Sequence, residues 1–164
     1  MEKSIILMGV SGCGKSSVGK ALEAQLGWKF YDGDDFHPQA NIDKMASGIP
    51  LNDADRMPWL KNLHDLIFEQ NRLGKSVIVA CSALKKSYRD ILRDQNPGLI
   101  FVHLDGDFDL IMERMQAREN HYMRAEMLKS QFDTLEIPQN AIRIRIDRSV
   151  EDIVKEIMDS LDVV

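Results

Sequence analysis

A chain of 164 residues is long enough for one compact domain with a buried core. Apolar residues make up 44% and charged residues 29%, the balance of an ordinary globular protein, which argues against a disordered or low-complexity class. The formal net charge of −5 offers no general basic field for nucleic acid, so positive partners for an anionic ligand must be local. No apolar run approaches the length of a bilayer span, and Met1-Glu2-Lys3 leads straight into a strand-like run, so neither a membrane segment nor a signal peptide is expected. Cys13 and Cys81 suggest no disulfide framework, and cytoplasmic residence is the expectation.

The first element is Ile5–Met8, a continuous apolar run of the kind that marks a strand buried on both faces. Gly9-Val10-Ser11-Gly12-Cys13-Gly14-Lys15-Ser16 follows and matches G-x-x-x-x-G-K-[ST] in full. Its glycines let the backbone bend and turn N–H groups toward phosphate oxygens. Lys15 supplies a point charge to the β- and γ-phosphates, and the Ser16 hydroxyl is suited to Mg²⁺. A helix over Lys15–Leu26 would aim its positive end at the same phosphates, with Ser17 in the first turn. Cys13 reads as a small residue that fits the loop.

Lys29–Asp32 is a shorter strand, and Asp32-Gly33-Asp34-Asp35 follows it. The usual place for a magnesium-holding Asp is the end of a later apolar strand. Here that strand, Val77–Cys81, ends in Cys81-Ser82 and carries no carboxylate. Asp32 and Asp34 are the substitutes, because C-terminal strand ends share one ligand crevice. Asp32 suits the metal, and Asp34 suits acceptance of a proton from an attacking hydroxyl.

Phe36–Asp55 is polar, with Pro38, Gly48 and Pro50, and reads as an excursion from the sheet. A helix over Asp55–Leu73 carries Leu60, Leu63 and Ile67 on one face, with Asp53 and Asp55 expected as caps. Arg56 is placed to grip a carboxylate in a bidentate fork. His37 is either a cap or a substrate contact. Ser82 and Lys85 lie beyond the third strand on the ligand edge, while Lys86 and Arg89 read as a solvated helix face. Leu99–Leu104 is a further buried strand. The helix expected over Asp107–Arg118 sets Arg114 and Arg118 on one face. Glu119–Gln139, rich in charge and methionine, is a second excursion and a lid candidate. Ala141–Ile146 alternates Ile with Arg, as a strand at a sheet edge does. The last helix starts at Ser149, with Asp152 three residues on. Strands alternating with helices predict an α/β fold: a parallel sheet covered on both faces.

Several runs resemble gluconate kinases. They are Leu7–Ser16, Asp32-Gly33-Asp34, Phe36-His37-Pro38, Asn41–Met45, Gly48–Arg56 with Pro58-Trp59-Leu60, Cys81–Lys86, Tyr88-Arg89-Asp90 and Gln131–Glu136. The resemblance spans nearly the whole chain. It implies a P-loop three-layer sandwich, with a five-stranded parallel sheet of order 2-3-1-4-5 and a mobile lid. It also implies ATP- and Mg²⁺-dependent phosphorylation of D-gluconate at its 6-hydroxyl, and a homodimer. Nucleotide contacts are then Gly9, Val10, Ser11, Gly12, Cys13, Gly14, Lys15, Ser16 and Ser17, with Arg114 stacked on adenine. Ser16 and Asp32 hold the metal. Asp34, Arg56, Ser82, Lys85, His121 and Gln131 meet the sugar acid. Arg118 or Arg124 swings toward the transferring phosphoryl group, Arg118 being the first choice. Two alternatives stay open: a kinase for another small hydroxylated acid such as shikimate, and a nucleotide-gated binding module without an acceptor.

Overall fold

The computed structural model describes residues 2–117 and 124–162. Five parallel strands form one sheet: β1 (Ser4–Met8), β2 (Lys29–Asp32), β3 (Val77–Ala80), β4 (Leu99–Asp105) and β5 (Ile142–Arg145). Their order is β2-β3-β1-β4-β5, as expected. The chain runs outward from β1 to β2, returns through β3, and crosses β1 to reach β4. The direction of winding thus reverses around β1, where ligand crevices of open α/β sheets lie.

The helices are α1 (Lys15–Leu26), α2 (Gln39–Ala46), α3 (Asp53–Arg72), α4 (Lys86–Arg93), α5 (Phe108–Gln116), α6 (Arg124–Thr134) and α7 (Val150–Leu161). Side chains of β1 alternate between two cores. Ile5 and Leu7 face Val18, Leu22, Ile111 and Ile157 of α1, α5 and α7. Ile6 and Met8 face Leu60, Leu63, Ile67 and Leu92 of α3 and α4. All five residues of β1 are buried, which is why that strand reads as unbroken apolar sequence apart from Ser4. At the opposite extreme β5 is an edge strand with Ile144 buried and Arg143 exposed.

Sequence expectations hold for α1 and β2 to the residue. Three others shift. α3 begins at Asp53, because Asn52 is its N-cap: the Asn52 side chain accepts from the Asp55 amide and the Asp55 carboxylate accepts from the Asn52 amide. Asp55 therefore forms half of a capping box, whereas Asp53 pairs elsewhere. Each excursion also contains a helix, α2 in the first and α6 in the second. Ser149 caps α7 by accepting the Asp152 amide, but Val150 at the head of the expected apolar stripe is exposed. Among the described residues no helix is long and apolar enough to cross a membrane.

His103 is a buried titratable group in β4, and burial lowers its pKa below the ordinary histidine value. The unfolded chain therefore binds a proton that the folded chain resists, so stability falls as pH drops below about 6.5. Urea titrations at neutral pH and one to two units lower should show that loss, and His103→Gln should reduce it.

Candidate functional site

The phosphate-type loop leaves the C-terminal end of β1 and turns into α1. Gly12 has φ +81°, and an added Cβ there would lie 2.9 Å from Met115 Cγ, so only glycine fits between the loop and α5. Gly14 is the N-cap of α1 and provides no side-chain cap. The first N–H groups of α1, from Lys15 to Ser17, are thus presented without the side-chain acceptor that begins α3 and α7. That is an anion-receiving end, and it suits phosphate. The Lys15 ammonium donates to the Gly9 and Val10 carbonyls at 3.0 and 3.1 Å, so it is held over the loop. Ser16 and Ser17 are exposed at the helix start. Val10 and Cys13 are packed in the core, which agrees with the reading of Cys13 as a fitted small residue.

The loop is tied to its neighbours. The Gly9 amide donates to the Ser82 carbonyl at 3.2 Å, joining it to the end of β3. The Ser11 amide donates to Gln131 Oε1 at 2.6 Å, and Gln131 Nε2 donates to Ser11 Oγ at 2.8 Å. A backbone N–H can only donate, so the orientation of the Gln131 amide is fixed. Gln131 on α6 therefore touches the phosphate loop directly.

The acidic turn after β2 is a short 3-10 helix, Gly33–Phe36, capped by Asp32, whose Oδ1 accepts the Asp34 amide at 3.0 Å. Gly33 lies against β3: an added Cβ would sit 2.3 Å from the Ala80 carbonyl oxygen. The Gly33 carbonyl accepts the Trp59 indole N–H at 2.8 Å, which fastens α3 to the turn. Trp59 also stacks on His37, with ring centroids 4.2 Å apart. Asn41 of α2 donates to His37 Nδ1 at 3.1 Å and to the Asp55 carbonyl at 2.9 Å, and Lys44 pairs with the Asp55 carboxylate at 2.9 Å. The polar excursion from the sheet is thus a hydrogen-bonded α2–α3 corner.

A cavity of about 400 Å³ opens between this corner, the turn after β3 and α6. Asp34 and Arg56 line it, with Ser11, Ser82, Tyr88 and Gln131 among the other polar walls. The size suits a small organic ligand. Arg56 donates to the Leu51 carbonyl at 2.8 Å and lies over the Tyr88 ring, so one end of the guanidinium is fixed. The Asp34 side chain is open to the cleft, 84% exposed. Partial desolvation raises its pKa, and repulsion from Asp32 adds to the effect, while His37 and Lys15 oppose it.

Two sequence expectations are corrected. Lys85 does not line the cavity; its ammonium is held at 3.1 Å by Asp53, which also accepts the Tyr88 hydroxyl. Arg89 is not a solvated helix residue. It is 4% exposed and donates to the Ala83 carbonyl at 2.7 Å and the Glu136 carbonyl at 2.8 Å. Ala83 has φ +45°, a left-handed conformation costly for a residue with a Cβ, and Arg89 clamps it beneath the cavity. Arg114 lies away from the acceptor cavity and donates to the Ile146 carbonyl, at the exit of β5. Arg118 and His121 lie outside the described residues, and the side chain of Arg124 is likewise not described. Tyr88, Trp59 and Asn41 belong to the site but were given no role from sequence.

Ser16 and Asp32 offer hard oxygen donors. Among the described residues no group of three or more His, Cys, Asp or Glu is placed to hold a metal. This donor set fits Mg²⁺ carried largely by phosphate and water, rather than an ion in a dedicated protein cage.

A winding reversal at β1, an uncapped α1 behind a complete phosphate loop, and a carboxylate-bearing acceptor cavity beside it define a P-loop kinase. The family model described as shikimate kinase matches residues 11–162. The thermoresistant gluconokinase of Escherichia coli (strain K12) is 49% identical, over 91% of this chain and 87% of that protein. A probable gluconokinase of Mus musculus is 45% identical, over 96% of each. The crystal structure of a gluconokinase from Sinorhizobium meliloti 1021 matches with a TM-score of 0.88 and 43% identity, covering 98% of this chain and 91% of that one. The chain belongs to the gluconokinase family, within the shikimate kinase-like enzymes.

Trp59→Phe keeps the ring against His37 but removes the donor to Gly33. It should cost about 1–3 kcal/mol of stability by leaving a buried carbonyl unpaired. Denaturant titration checks this, and a variant as stable as the parent would show that the bond does not fasten α3.

Proposed function

We propose that this enzyme transfers the γ-phosphoryl group of ATP to the 6-hydroxyl of D-gluconate, giving 6-phospho-D-gluconate. The observation that carries the proposal is one cavity in which Asp34 and Arg56 stand together beside the Ser11 end of the phosphate loop. A sugar acid has a carboxylate for Arg56 and hydroxyls for the serine, tyrosine and glutamine groups around it. The gluconokinases at 43–49% identity support the same acceptor.

The N–H groups at the start of α1 and the Lys15 ammonium bind the β- and γ-phosphates. Arg114, held against the Ile146 carbonyl, presents its guanidinium plane to the adenine. Ser16 and Asp32 would hold Mg²⁺, which would supply charge neutralisation at the phosphate oxygens. Arg56 grips the sugar carboxylate, and Ser82 and Gln131 bind hydroxyls. Asp34 accepts the proton of the attacking hydroxyl as its oxygen bonds to phosphorus. The bond from phosphorus to the bridging oxygen breaks, and the electron pair leaves with ADP. The segment 119–139, which carries α6, acts as the lid that excludes water during transfer. Arg118, the residue just before it, supplies positive charge to the transferring group.

ADP release measured across a panel of sugar acids and shikimate should show strong preference for D-gluconate. ATP binding without acceleration by any sugar acid would overturn the reading in favour of a binding module. Lys15→Ala should abolish turnover and leave the thermal melt unchanged. Asp34→Asn should lower kcat about 100-fold or more with ATP affinity retained; full turnover would remove Asp34 as the base. Arg56→Met should raise KM for gluconate at least about tenfold, consistent with loss of a charge-assisted bond, and leave KM for ATP within twofold or so.

A further inference from the structure

The neighbours of His37 fix its protonated nitrogen. Asn41 Nδ2 lies 2.9 Å from the Asp55 carbonyl oxygen, which can only accept, so that atom is the amide nitrogen and not the oxygen. The same Nδ2 lies 3.1 Å from His37 Nδ1. Nδ1 must therefore accept, and the hydrogen of the neutral ring sits on Nε2. Nε2 points to Asp34, with Oδ1 at 3.9 Å.

The His37 side chain is only 5% exposed, and it is pinned flat against Trp59. Its Nε2–H is a nearly buried donor whose nearest carboxylate is just beyond hydrogen-bond distance. The imidazole is immobilised by the stack and by Asn41, whereas the Asp34 side chain is open to the cleft and free to change rotamer. Rotation of that free carboxylate is the motion that would shorten the 3.9 Å separation. Burial lowers the His37 pKa, and the Arg56 charge adds to this against the pull of Asp34, so the neutral donor form is favoured.

We propose that His37 is a positioning residue for Asp34: its Nε2–H holds one carboxylate oxygen, so that the other faces the acceptor hydroxyl. The inference rests on Asp34 being the proton acceptor. His37 transfers no proton itself; the hydroxyl proton goes to the free oxygen of Asp34. Trp59 and Asn41 thereby act on the reaction through the orientation of one imidazole.

The test is a double-mutant cycle in the full-length enzyme with ATP and gluconate. His37→Phe keeps an aromatic ring on Trp59 and removes the donor. It should lower kcat about 10- to 100-fold, the scale of a misoriented reacting group, with KM for gluconate nearly unchanged. His37→Gln, whose side-chain amide can reach the same place, should recover most of the loss. In an Asp34→Asn background, His37→Phe should cost less than twofold or so, because the oriented base is already gone. An equal loss in both backgrounds would overturn the proposal and make His37 an independent substrate contact. A Gln variant as slow as Phe with unchanged thermal melts would also overturn it. Full turnover by Asp34→Asn alone would instead remove the base assignment itself, and is read from that single variant.

Discussion

The bond from the Trp59 indole to the Gly33 carbonyl joins two halves that the sheet alone would leave independent. On one side is the acidic turn, pressed so closely on β3 that no side chain fits at Gly33. On the other is α3, which carries Arg56 three residues before Trp59. With the bond in place, the backbone that carries Asp34 is fastened to the helix that carries Arg56. The α2–α3 corner is braced a second time by Asn41 and Lys44 on Asp55. The frame of this half of the cleft is therefore held by hydrogen bonds and one ion pair between elements.

The site divides its charge by element. The start of α1 and Lys15 are positive, and the turn after β2 contributes Asp32 and Asp34. Arg56 is the further cation on the acceptor side. The ion pair with Asp53 holds the Lys85 ammonium away from the cavity lining. Cys81, at the end of β3, has its thiol pushed up to about 12, chiefly by burial. As a soft sulfur donor it is in any case a poor match for a hard cation such as Mg²⁺.

Most of the fold was legible because its signals are local. Buried parallel strands are continuous apolar runs, and the phosphate loop encodes its own turn and helix start. The cavity was less legible because its members come from distant positions. Lys85 was assigned to the ligand edge correctly by strand register, but its direction depends on Asp53, 32 residues away. Arg89 looked like a surface residue because charge and helical spacing usually mean solvent. Its burial follows from two carbonyls, those of Ala83 and Glu136, that no periodicity marks. The α2 helix was hidden because only eight residues form it and its stability comes from side-chain bonds to α3 rather than from an apolar stripe.

The Gln131–Ser11 pair has a thermodynamic consequence. One residue lines the acceptor cavity and at the same time occupies an N–H and a hydroxyl of the phosphate loop. Whatever free energy a ligand on one side spends in shifting that pair is felt by a ligand on the other, with equal size and sign, because linkage is reciprocal. Two hydrogen bonds of about 1 kcal/mol each put the scale at roughly thirtyfold in affinity. Any coupling between the two sides of the cleft that runs through this pair would cross a single side chain.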